Sequence, residues 1–227
     1  MKHNKLVIFE NADKSRWKKE KWSDGLHNDP AMFPCPSKLL ILGGTGVGKS
    51  NCLLNLFCTF QMSKIPFKEL IIVSPSTSCE WKKAEPTHLF TDIIDCKPEL
   101  FNSPTKKLLI IDDYEMTGLN VKQKRALSEL FRFVSTHHNT SIWMSYQSFF
   151  DLSPLMRKLA DIFIIYKPKS KQELTAIEGR VGLEKGLLHI LFKQVANGPY
   201  DNICIDNTVG SPYRLRKNIY DVIELEE

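Results

Sequence analysis

The residues best placed to do chemistry in this chain are 43 to 50, which read GGTGVGKS and satisfy the pattern G-x-x-x-x-G-K-[ST] at every constrained position. Gly43, Gly44, Thr45, Gly46, Val47, Gly48, Lys49 and Ser50 form a loop whose main-chain N–H groups can curl around a phosphate. The positive end of the following helix dipole adds to that attraction. Lys49, expected to be exposed in the loop rather than packed in the core, is suited to bridge the β- and γ-phosphates of a nucleoside triphosphate. The Ser50 hydroxyl is suited to ligate Mg²⁺. ATP and Mg²⁺ are therefore the expected ligands.

A second apolar run, KLLIIDD at 107 to 113, delivers a pair of carboxylates to its end. Asp112 is expected to hold Mg²⁺, directly or through water. Asp113 points elsewhere and stands where hydrolysis needs a water-activating carboxylate, with Glu115 as the reserve candidate. A third run, TSIWMSY at 140 to 146, ends in Gln147, an amide that can sense the γ-phosphate or orient the attacking water. Lys49 and Asp112 lie 63 positions apart (112 minus 49), room for a whole strand and helix. The run LIIVSP at 70 to 75 can therefore lie between the two motif strands or beside them.

These groups must be held by a scaffold, and the pattern says which. Near-continuous apolar runs at 38 to 43, 70 to 75, 108 to 112, 140 to 146 and 161 to 166 alternate with helical stretches. Those helices are expected at 49 to 61, 121 to 137 and 154 to 159. Strands buried on both faces read this way, which predicts an α/β, doubly wound, mostly parallel sheet of the P-loop NTPase type. Beyond Lys169, helices are expected at 171 to 180 and 183 to 193, followed by a strand at 202 to 206 that forms an edge or a hairpin with the segment near Tyr213 to Leu215. Residues 1 to 36 read as a leader with prolines at 30, 34 and 36, residues 37 to 216 as the catalytic domain, and 217 to 227 as a tail.

Composition narrows the classes further. The chain of 227 residues is 42% hydrophobic and 25% charged, ordinary for a globular domain and too apolar for a disordered one. No run reaches the roughly 18 to 20 apolar residues of a membrane span, and the Met1 to Phe9 start lacks a signal-peptide core, which points to an intracellular protein. The six cysteines form no CxxC pair and read as reduced thiols, mostly in the core. The net charge of +5 fits a nucleic-acid partner. Lys14, Arg16, Lys18, Lys19 and Lys21, interleaved with Trp17 and Trp22, combine phosphate-neutralising cations with stacking rings. A solvated arm is the plainer reading of that stretch.

With LIIDD and the stretch HHNTSIWMSYQSFFDLSPLMRKLADIFIIYKP (137 to 168) in view, the chain resembles the genome-packaging ATPases of large eukaryotic DNA viruses and virophages. These are the poxvirus-type branch of the FtsK-HerA superfamily. The similarity covers roughly residues 36 to 215, and it is most specific in the strand ending at Gln147, the S-P-L-M-R helix and the strand ending Y-K-P. The resemblance implies a RecA/FtsK-HerA-like ASCE core and a homo-oligomeric ring, hexamer or pentamer, that drives double-stranded DNA of any sequence into a preformed capsid. It implies capsid or portal-vertex partners, and a place at the virus assembly site in the host cytoplasm or with the virion. Gly43 to Ser50 match the phosphate loop, Asp112 and Asp113 the second motif, Gln147 the sensor and Arg157 an arginine of the same segment. Arg157 is the candidate arginine finger, with Arg132 as its rival. Many related motors carry Asp-Glu where this chain has Asp-Asp, so the base here is a shorter side chain.

Two other classes compete. A P-loop kinase needs an arginine-rich lid and an acceptor pocket, and no such lid is visible. A nucleotide switch of the GTPase kind needs an [NT]KxD element, which the sequence lacks, and Asp112 has no glycine three residues on.

Overall fold

The computed structural model describes residues 6–8, 33–62, 66–76, 79–135, 138–168, 170–208, 211 and 213–225. The charged stretch at 14 to 21 lies outside the described residues. Among the described residues ten strands form one sheet: β1 (Leu6–Ile8), β2 (Lys38–Leu42), β3 (Glu69–Val73), β4 (His88–Phe90), β5 (Lys107–Ile111), β6 (Thr140–Tyr146), β7 (Ile162–Tyr166), β8 (Asn202–Asp206), β9 (Leu215–Lys217) and β10 (Asp221–Ile223). Their spatial order is β1-β10-β9-β8-β7-β2-β6-β5-β3-β4. From β7 to β4 every neighbouring pair is parallel, whereas β7 to β8 and all pairs beyond it are antiparallel. The doubly wound, mostly parallel sheet is thus present, with an antiparallel extension on one side.

The apolar runs alternate in their use. Leu40, Leu42, Ile71, Val73, Leu109, Ile111, Ile142, Met144, Phe163 and Ile165 face one core. Their chain neighbours Leu39, Ile41, Leu70, Ile72, Leu108, Ile110, Trp143, Ile162 and Ile164 face the other. A strand that buries both faces cannot alternate polar with apolar residues, which is why these segments read as continuous hydrophobic runs. The second core is capped by Leu53, Leu56, Phe57 and Phe60 of α1 (Lys49–Gln61) and by Trp81 of α2 (Cys79–Lys83). The first core is covered by α3 (Val121–Glu129), α4 (Pro154–Leu159), α5 (Lys171–Val181) and α6 (Leu187–Gln194).

Several expected boundaries move, each for a local reason. The helix expected through 137 is α-helical only to Glu129 and continues as a π turn over Leu130–Val134. The helix expected from 183 starts at Leu187, because Gly182 and Gly186 both adopt positive φ (68° and 92°) and the chain turns between them. The segment read as a tail supplies β10, and Phe33, in the segment read as a leader, is fully buried, with the Arg216 guanidinium 5.0 Å from its ring centroid. The cysteines are less buried than expected: of the five described with side chains, only Cys96 and Cys204 are buried.

Candidate active site

The strand order decides what meets the phosphate loop. Since β2 lies between β7 and β6, and β6 lies between β2 and β5, the strand inserted between the two motif strands is the one ending at Gln147. The run at 70 to 75 forms β3 on the far side of β5. All these strands are parallel, so their C-terminal ends share one edge of the sheet, where open α/β sheets place ligands.

At that edge the main chain locks the loop to its neighbours. The Gly43 N–H donates to the Tyr146 carbonyl (3.1 Å), and the Asp112 N–H donates to that of Val73 (2.9 Å). Gly46 and Gly48 take φ of 80° and 94°, the left-handed region that lets the loop turn into α1. Gly43 has a different constraint. A Cβ at that position would lie 2.7 Å from Tyr166 Cβ and 2.9 Å from Val47 Cγ2, so the strand-to-loop exit is filled to contact. Gly43→Ala is therefore expected to cost about 1–3 kcal/mol by overpacking, measured by chemical denaturation.

Lys49 is not exposed as the sequence suggested. It retains only 8% of its accessible surface, because its ammonium folds back and donates to the carbonyls of Gly43 (2.9 Å) and Gly44 (3.0 Å). Burial pulls its pKa down, and the nearby carboxylates of Asp113 and Asp112 offset part of that effect. A desolvated cation resting on its own loop, with two carboxylates near it, is poised to exchange carbonyl partners for phosphate oxygens.

The paired aspartates do divide in environment. Asp112 is 4% exposed, and both its oxygens are engaged: Trp81 Nε1 donates to Oδ2 (2.9 Å) and Ser145 Oγ to Oδ1 (2.5 Å). The same Ser145 hydroxyl accepts from the Asp113 N–H (2.9 Å), so one side chain of β6 pins the ends of both carboxylate positions. Asp113 adopts φ 48° and stays exposed, and Gln147 Nε2 reaches its Oδ1 in a long contact of 3.4 Å. Asp113, Glu115, Tyr146 and Gln147 line a cavity of about 350 Å³.

Trp81 and Ser145 were missed by the sequence reading. Ser145 carries a signal in hindsight, a hydroxyl two residues before Gln147 on the strand that adjoins β5. Trp81 carries none, since it stands in a five-residue helix and meets Asp112 across 31 positions.

Arg157 is not among the residues lining that cavity. Its guanidinium lies 5.2 Å from the Phe149 ring centroid and its Nε is buried without a hydrogen-bond partner among the described residues. Arg180 of α5 donates to the Arg157 and Lys158 carbonyls, and Glu173 accepts from the Phe149 N–H, so this segment is fastened to α5. Arg132 sits in the π turn with its guanidinium 5.6 Å from the Phe133 ring centroid.

A phosphate loop at the end of a central strand, with one parallel strand between it and an acidic motif strand, defines the P-loop NTPase fold in its form with an inserted strand. Solved structures share it. The DNA-packaging ATPase of Sulfolobus turreted icosahedral virus aligns over 80% of this chain and 96% of its own, with TM-score 0.57 and 18% identity. The genome-packaging NTPase of Sulfolobus turreted icosahedral virus 2, in complex with ATP-γS, aligns over 83% and 97% at TM-score 0.55 and 20% identity. The pCW3 conjugation coupling protein TcpA aligns over 83% of this chain and 60% of its own at TM-score 0.55 and 13% identity. No protein-family model and no curated protein matches the sequence.

Proposed function

We propose that the chain is an ATP-hydrolysing motor that drives double-stranded DNA into a preformed capsid. The observation that carries the reading is the placement of β6, which sets Gln147 beside Asp113 at the sheet edge that also holds the Lys49 loop. The hydrolytic residues then act together. Lys49 releases the Gly43 and Gly44 carbonyls and neutralises charge on the β- and γ-phosphate oxygens, and the amides at the start of α1 hold the phosphates in line. Asp113 accepts a proton from the attacking water, and Gln147 holds that water or reports the γ-phosphate through its contact with Asp113. Ser50 and Asp112 offer the hard oxygen donors Mg²⁺ prefers, and Trp81 and Ser145 fix the direction in which Asp112 presents its carboxylate. Bound Mg²⁺ would supply charge neutralisation on the phosphate oxygens.

Asp113→Asn is expected to bind ATP with Mg²⁺ yet fail to hydrolyse it, whereas Asp112→Asn is expected to raise the Mg²⁺ concentration needed for half-maximal turnover. Normal turnover by Asp113→Asn together with loss in Glu115→Gln would move the base to Glu115.

Support for DNA as the track comes from the packaging and conjugation roles named for the structural neighbours, and from exposed basic groups: Lys82 and Lys83 on α2, Lys122 and Lys124 at the start of α3. Arg125 beside them already pairs with Glu129 at 2.9 Å. A ring of five or six copies with a capsid or portal-vertex partner, acting at the virus assembly site, completes the reading. Among the described residues no helix is long and apolar enough to cross a membrane.

The test is ATP turnover with and without long duplex DNA. Stimulation that any duplex sequence provides, and that falls steeply with salt, is expected of a translocase. A phosphorylated small-molecule product would point to a kinase, and salt-insensitive or sequence-selective binding would contradict the motor.

A further inference from the structure

The residues that would cut a triphosphate all lie on one side of β2. Gln147 follows β6, and Asp112 and Asp113 follow β5, whereas β7 and β8 lie on the opposite side. A triphosphate threaded through the loop must place its γ end beside the hydrolytic groups. Its nucleoside then leaves the loop in the other direction, toward β7 and β8.

A cleft of about 600 Å³ opens there directly from the loop. Gly48 and Asn51 form one wall where α1 begins, and Tyr166, Asn202, Tyr200 and Tyr220 face them from β7, β8 and the adjoining turns. The volume falls within the range of about 300–1,000 Å³ typical of small-molecule sites. None of the lining residues carries a charge, which suits a neutral planar group and offers nothing to a further phosphate. Tyr200 keeps 69% of its surface exposed, an aromatic side chain left open at the cleft. Tyr220 also lines the cleft, its hydroxyl 3.5 Å from Thr59 Oγ1 of α1. Asn202 is 6% exposed, yet its amide oxygen has no hydrogen-bond partner among the described residues. An unpaired buried acceptor is costly, and an exocyclic amino group brought in by a base would relieve it.

We propose that this cleft seats the nucleoside of the bound nucleotide, with Tyr200 stacking on a base that carries an exocyclic amino group and Asn202 standing beside its edge. The antiparallel extension β8 to β10 therefore serves as the base-recognition wall of the domain. This rests on the reading of residues 43 to 50 as a phosphate loop.

The test titrates the full-length chain by calorimetry with two magnesium-bound probes, ATP and inorganic tripolyphosphate, the second having the phosphates without a nucleoside. Tyr200→Ala is expected to weaken ATP roughly tenfold, the scale of one base–aromatic stack, and to leave tripolyphosphate unchanged. Tyr200→Trp is expected to restore ATP binding. Unchanged ATP affinity in Tyr200→Ala, or equal weakening of both probes, would overturn the proposal. Lys49→Ala is the control for the reading beneath it: it should weaken both probes, and full retention of both would remove the phosphate loop and this proposal together.

Discussion

Lys49→Ala is expected to lower ATP turnover by at least about 10²- to 10³-fold while the protein stays folded, the scale of losing one preorganised charge-stabilising donor. The structure sharpens the second half of that expectation. Burial depresses the Lys49 pKa, so the folded state holds this proton less tightly than the unfolded chain does. A depressed lysine of this kind costs stability below its folded pKa, and that cost fades as the pH rises through it. Removing the side chain removes the cost. The thermal midpoint of Lys49→Ala should therefore match or exceed that of the native chain without nucleotide, while the rise in midpoint that ATP produces should disappear. Near-normal turnover would defeat the ATPase reading, and a collapsed midpoint would show that the lysine is structural.

Arg157→Ala is expected to lose on the order of 10³-fold in turnover without losing ATP binding, the effect of an arginine finger acting in trans. A guanidinium suits that role because it is always charged and offers a rigid fork of donors to phosphate oxygens. Within its own chain Arg157 does not line the Asp113–Gln147 cavity, and its Nε, beside Phe149, has no hydrogen-bond partner among the described residues. Both facts suit a group whose phosphate partner belongs to a neighbouring subunit. The decisive experiment mixes two inactive variants: Arg157→Ala subunits keep intact loops, Lys49→Ala subunits keep intact fingers, and mixed interfaces should recover part of the activity. No recovery despite proven co-assembly would remove Arg157 from the site and turn attention to Arg132.

How much of this could be read beforehand follows from the range of each interaction. The strand–loop–helix at 38 to 61 and the acidic strand at 107 to 113 were legible because their signals are local: apolar runs long enough to count, glycines at fixed offsets, carboxylates at a strand end. The order of strands was not. Whether β3 or β6 separates the two motif strands depends on pairings such as Ile110 with Trp143, between residues 33 positions apart (143 minus 110). Trp81, which holds Asp112 across 31 positions, was hidden for the same reason. Three-residue strands such as β4 and β10 are too short to show any period, so the C-terminal stretch read as a tail. The burial of Lys49 depends on two hydrogen bonds back to its own loop, which spacing does not reveal.

The π turn at Leu130–Val134 has a consequence for how the chain can vary in length. A π turn holds one residue more than the α turn it replaces, and it lets Leu130, Phe131 and Val134 point inward while Phe133 stands 52% exposed. Loss of one residue within that turn would restore regular α geometry at little cost. Loss of one residue from α3 itself would instead rotate everything beyond it by about 100° and carry the buried row out to solvent. Single-residue deletions scanned from 121 to 134 should therefore be tolerated at one end of this helix and rejected at the other.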